Sequence, residues 1–171
     1  IDQDHEDLSA KIVAQRNFTT SSTIDDLYGH GTHVAGIVAA LTNNGVGVAG
    51  GCPGCRLMSG KVLGDSGSGA YSWVASGIIW AADNGAKVIN LSLGGTSPSR
   101  TLESAVNYAW NKGAVVAAAA GNCGCRQKLY PAFYRNAIAV AATNNKDQKA
   151  SFSSYDAKWV DVAAPGENIF S

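Results

Sequence analysis

Charge is scarce in this chain of 171 residues: Asp, Glu, Lys and Arg make up only 15% of it, and the 13 basic and 13 acidic side chains cancel. The basic residues are scattered and form no stripe, so the sequence carries no signature of nucleic-acid binding. No apolar run approaches the roughly 20 residues needed to cross a bilayer, so no membrane partner is expected. No charged-then-apolar leader opens the chain. Internal repeats, linkers and low-complexity segments are also missing. What remains is 46% hydrophobic residues and 20 glycines, the composition of a compact globular protein with tight turns. The length suits one hydrophobic core and is short for two ordinary domains.

Apolar periodicity alternates between strand and helix. Residues 1–8 are polar and aperiodic and predict a loop, followed by a short strand over Lys11 to Phe18. Strands are expected at Arg56–Leu63, Lys87–Leu93, Ala114–Ala120, Ala137–Thr143 and Trp159–Ala163. Helices are expected at Ser72–Asn84 and at Arg100–Lys112, the latter closed by Gly113. Strand–helix alternation implies an α/β fold with a mostly parallel sheet and helices on both faces, three layers in all. In such a fold, loops at the strand C-terminal ends hold the site.

One stretch organises the rest. Gly29-His30-Gly31-Thr32-His33-Val34-Ala35-Gly36 runs into Ile37-Val38-Ala39-Ala40-Leu41. Small and apolar residues recur at helical spacing, which predicts a buried helix with His30 at its N-terminus. The unpaired amides and positive dipole end there favour the neutral imidazole that a general base needs. His33 lies one turn on and reads as a structural histidine, because no glutamate or third ligand accompanies the pair. Gly45, Gly47 and Gly50 match a dinucleotide-binding spacing, but they follow a helix and lead to a strand, the reverse of the context that motif requires.

The run GHGTHVAGIVAAL, with SLGG at Ser92–Gly95 and AAAGN at Ala118–Asn122, resembles the subtilisin-like serine endopeptidases, the subtilases, and within them the thermitase-type branch. The resemblance extends from Asp2 to Ser171. It implies one partial peptidase catalytic domain over 1–171, a subtilisin-like fold incomplete at both ends. The implied chemistry is peptide-bond hydrolysis by an Asp-His-Ser triad in which His30 is the base and Asn122 donates to the oxyanion. On this alignment the triad aspartate lies about three residues before Ile1 and the nucleophilic serine beyond Ser171. The isolated chain is therefore expected to be inactive. The alternative is a catalytically degenerate module of the same fold that only binds peptides.

The resemblance further implies an extended polypeptide substrate laid between Gly67-Ser68-Gly69 and Ser92-Leu93-Gly94-Gly95, strips with few side chains to obstruct an added strand. Leu63, Tyr71, Val74 and Leu93 would line a pocket for a residue several positions before the scissile bond, although each also reads as ordinary core. The primary pocket would lie between Leu93–Gly95 and Ala118–Gly121, including Ala119 and Gly121, with Leu129 to Ala132 closing it. No acidic residue stands there, so apolar or aromatic side chains are expected. A structural calcium ion (Ca2+) is implied, with ligands from Asp7, Leu41, Asn44, Val46 and Val48, an all-oxygen set. Asp25 and Asp26 stand where the thermitase type carries a further aspartate-rich calcium loop.

Four cysteines occur as Cys52-x-x-Cys55 and Cys123-x-Cys125, a pattern open to a zinc site or a redox motif. The first pair precedes a strand and the second follows one, so parallel strands place them at opposite ends of a sheet. Two local disulfides are the reading that follows, and with it a secreted, extracellular setting. A monomer is expected.

Overall fold

The computed structural model describes residues 1–171. Two compact units emerge, residues 1–77 with 170–171, and residues 78–169. The strands pair as two wholly parallel sheets, one of two strands and one of four.

In the first unit β1 (Ile12–Asn17) lies parallel to β2 (Leu57–Lys61), with Asn17 opposite Lys61. The intervening helix α1 (His30–Ala39) buries only its small stripe, Ala35, Gly36 and Ala39. Leu8, Ala35 and Ala40 form a core cluster against which Ile1, Val48 and Leu57 pack. Within these 171 residues the expected burial of α1 is met on one side only: Ile37 and Val38 are 40% and 37% exposed. The predicted loop at 1–8 also contains two buried side chains, Asp7 and Leu8.

No glycine closes α1; its last carbonyls are met by the chain that follows. Gly51 N–H donates to Ile37 O at 2.9 Å and Cys52 N–H to Val38 O at 2.8 Å. Gly50 is required there because a Cβ on it would lie 2.7 Å from the backbone of Ala39.

The second unit carries β3 (Val88–Leu91), β4 (Val115–Ala119), β5 (Ala137–Thr143) and β6 (Val162–Pro165), side by side in chain order. Val116, Ala118 and Ala120 are buried along and just past β4. Helix α2 (Tyr71–Asp83) contains the boundary between the units, and α3 (Arg100–Asn111) belongs wholly to the second. The last strand begins three residues later than the apolar pattern at Trp159 predicts. The cause is Asp161, whose carboxylate accepts from Ala139 N–H at 2.8 Å while its own N–H donates to Ala139 O at 3.0 Å. A side chain there takes a rung of the ladder, and regular pairing starts at Val162 opposite Val140. No helix is long and apolar enough to cross a membrane.

Candidate active site

His30 is the first residue of α1 and is exposed; Gly29 before it turns the chain into the helix at φ 87°. No side chain at the cap position itself serves the helix start. Asp26 does so from upstream. Its Oδ1 accepts from Gly29 N–H at 2.9 Å and Tyr28 N–H at 3.2 Å, and its Oδ2 accepts from the amide and hydroxyl of Thr32 at 2.8 and 2.7 Å. Burial works against charge on Asp26, but the Thr32 hydroxyl and the Thr32 and Gly29 amides outweigh it and hold this carboxyl below its ordinary range. Asp26 is therefore committed to the start of the helix.

The strip at 64–69 is folded on itself, with Gly64 N–H donating to Ser68 O at 2.8 Å and Gly67 N–H to Gly64 O at 2.9 Å. Gly67 is at φ +75°, and a Cβ on it would meet the Tyr28 ring at 2.7 Å. The strip is anchored by the buried Lys61, whose ammonium pairs with Asp65 and donates to Asp25 O at 2.6 Å. The hydrogen bond from Lys61, ahead of its charge, lowers the pKa of Asp65. Leu63 and Tyr71 are half-buried, whereas Val74, only 3% exposed, is core.

The five residues implied for calcium gather in the same unit. Asp7 is 1% exposed, yet its carboxylate makes no ion pair. It accepts from Asn44 Nδ2 at 2.6 Å and Val48 N–H at 3.2 Å; its carbonyl accepts from Leu41 N–H at 3.1 Å, and Val46 N–H reaches Asn44 Oδ1 at 3.4 Å. Gly47, at φ +56°, lets this loop close over the carboxylate: a Cβ there would lie 3.2 Å from Asp7 Cγ. Residues Leu41 to Ala49 line a cavity of about 270 Å³. A buried carboxylate met only by neutral amides is costly, and the Asp7 carboxylate and the Asn44 side-chain oxygen are the kind of hard oxygen that calcium takes; the amides of Asn44 and Val48, rather than oxygens, face Asp7 in this arrangement. No cluster of three or more His, Cys, Asp or Glu side chains gathers anywhere in the chain.

In the second unit Asn122 follows the end of β4 and is exposed, and its carboxamide is not engaged by any other group of the chain. The loop that carries it is fastened on its far side. Ser154 N–H donates to Gly121 O at 2.9 Å, and Ser154 Oγ lies 3.2 Å from Cys123 Sγ. Gly121 is at φ +114° and would press a Cβ onto that hydroxyl at 2.9 Å. Gly95 and Tyr130 exchange backbone hydrogen bonds at 2.9 and 2.8 Å. The side chain of Leu129 meets both glycine strips, its Cδ2 lying 2.6 Å from a Cβ built on Gly94 and 3.3 Å from one on Gly121. Ser92 and Leu93 are half-buried beside them, as is Ala119. Cys52 pairs with Cys55 and Cys123 with Cys125, at Cα separations of 5.3 and 5.1 Å, leaving no free thiol.

The sequence profile of the Subtilase family matches residues 1–171. The chain belongs to the subtilase family. Thermitase of Thermoactinomyces vulgaris is 54% identical over 172 positions, which cover 100% of this chain and 61% of thermitase. A thermophilic serine proteinase of Bacillus sp. (strain AK1) is 52% identical over the whole of this chain and 43% of its own length. Among solved structures, a protease of Pseudoalteromonas arctica superposes with a TM-score of 0.88 at 35% identity, covering 95% of this chain and 59% of that one. The chain thus spans less than two thirds of each of these subtilase relatives.

The motifs single out His30 and Asn122 as candidates but not the side chains around them. Asp26, Thr32, Lys61 and Ser154 act across 2 to 36 positions of chain, and only one local signal is available. That signal is an acidic residue, Asp26, shortly before a helix start.

Proposed function

We propose that this subtilase chain is a partial catalytic domain of a secreted, monomeric serine endopeptidase that cleaves extended polypeptides. His30 takes the proton of a serine hydroxyl supplied by a part of the triad outside these residues, and returns it to the leaving amine. The Asn122 carboxamide donates to the oxygen of the scissile carbonyl as negative charge builds on it. The observation that carries the reading is Asn122 itself: an uncommitted N–H donor, in solvent, at the C-terminal end of a buried strand, on a loop fixed by Ser154 and a disulfide-distance pair. A module that merely held peptides would need neither that donor nor an exposed imidazole. Glycine strips at 67–69 and 92–95 supply bare backbone for a substrate strand, and the surroundings of Leu129 and Tyr130 favour an apolar or aromatic side chain in the primary pocket. A peptide library in which arginine is preferred there contradicts that specificity.

The test uses the complete gene product. Asn122→Ala lowers kcat by about 10²- to 10³-fold with KM little changed, a range established on subtilisin itself, and His30→Ala removes triad-level turnover. Full activity in either variant refutes the assignment. Calcium held by Asp7 with the loop 41–48 supplies structural rather than chemical help: it neutralises a buried carboxylate. At a free concentration about 100 times its dissociation constant it adds about 2.7 kcal/mol. Chelation therefore lowers the melting temperature, and Asp7→Asn abolishes the response to chelator. A melting curve indifferent to chelator in the parent protein rejects the site.

A further inference from the structure

We propose that Asp26, acting with Thr32, is a further positioning residue of the general base, beside the triad aspartate outside these residues; the assignment rests on the catalytic reading of His30. The first turn of a helix leaves amides unpaired, and α1 has no capping side chain at its own cap position. One carboxylate six residues upstream of Thr32 replaces it, taking four donors from Tyr28, Gly29 and Thr32 on both sides of His30. The backbone that carries the imidazole is thus gripped before and after the ring.

Four further contacts turn this grip into a fixed point for the edge of the unit. The Thr32 hydroxyl donates to Asp26 and accepts from Asp2 N–H at 2.8 Å, so the helix start is tied to the segment that opens the chain. The neighbouring Asp25 is held at both ends of its residue: its carbonyl accepts from Lys61, and its carboxylate accepts from Gln3 N–H at 3.1 Å. The turn made by Tyr28 and Gly29 on Asp26 also lays the Tyr28 ring against Gly67. Hydrogen bonds to an ionised acceptor are the stronger kind, and displacement of a catalytic group by about 1 Å costs on the order of 10²-fold in rate. Asp26 touches no substrate in this arrangement; it acts through the position of His30.

The experiment compares Asp26→Ala, Thr32→Ser and Thr32→Val in the complete gene product. It reads hydrogen exchange by mass spectrometry over residues 26–34 and turnover of a peptide substrate. Asp26→Ala speeds exchange across 26–34 by about tenfold or more, the loss expected for charge-assisted bonds, and leaves residues 78–169 as they were. It also lowers kcat by about 10²-fold with KM little changed. Thr32→Ser, which keeps the hydroxyl, behaves as the parent; Thr32→Val moves both readouts in the direction of Asp26→Ala. Parental exchange or parental kcat in Asp26→Ala overturns the proposal. So does Thr32→Ser being as damaging as Thr32→Val, which also decides the matter should Asp26→Ala fail to fold. An exchange response in a protein that hydrolyses nothing would retain the grip on α1 while rejecting the role of His30, so the two failures are separable.

Discussion

Helices α1 and α3 are of similar length, 10 and 12 residues, and are built on opposite plans. The capping groups of α3 lie within or beside it, although the Tyr134 hydroxyl also clasps the Ser99 backbone at 2.9 and 2.8 Å. Ser99 caps it by accepting from Leu102 N–H at 3.3 Å, and Leu102, Ala105, Val106 and Ala109 make a buried stripe at helical spacing. Gly113 at φ +82° then ends it, with Ala114 N–H returning to Ala109 O at 3.0 Å. α1 has a weaker apolar stripe and no cap of its own, and is closed at both ends by chain from elsewhere: Asp26 before it, residues 50–52 after it. The helix with the candidate base gives up local self-sufficiency, because the positions that would carry a cap and a wide apolar face carry Gly29, His30 and Gly31 instead. Its stability is therefore lent by distant groups.

That contrast can be broken most severely at the C-terminal ends. Gly50→Ala drives a methyl group into the backbone of Ala39 and Ala40, which cannot swing aside, and is expected to cost about 3 kcal/mol, read as a fall in the denaturant midpoint. The same substitution at Gly113 meets nothing within 4 Å and costs only the left-handed backbone conformation, about 1–2 kcal/mol. Equal losses would mean that α1 is no more dependent on its surroundings than α3.

A smaller effect sharpens the comparison at the N-terminal ends. Because the folded-state pKa of Asp26 lies below its ordinary value, its contribution is complete above the unfolded-state value. It is lost as pH falls through the lower, folded one. Hydrogen exchange over 26–34 therefore loosens selectively in acid, below the usual carboxylate range. The start of α3, capped by the Ser99 hydroxyl, shows no such local transition. Parallel loosening of both segments would assign the change to global acid unfolding.

Legibility in the sequence follows the same division. The second unit was readable because its determinants are local: alternating apolar runs at β4 and β5, the capping serine and the terminal glycine of α3. Only β6 was misplaced, since a carboxylate substituting for a ladder amide at Asp161 leaves no trace in hydrophobic periodicity. In the first unit the motif at 29–36 was legible and its supports were not. Nothing about Lys61 announces a buried ammonium on the carbonyl of Asp25, and small residues at 35, 36 and 39 do not reveal that Ile37 and Val38 face outward. The buried Asp7 was found only through likeness to a family, because a polar, aperiodic octapeptide gives no periodic cue to burial.

Leu129 behaves as a spacer gauge. A single branched side chain abuts the bare backbone at Gly94 and at Gly121, so the width between those two strips is set by the thickness of one isobutyl group. Trimming it to alanine removes the one side chain that touches both glycines, so engineers seeking to reshape the recess between them have a single lever at that position.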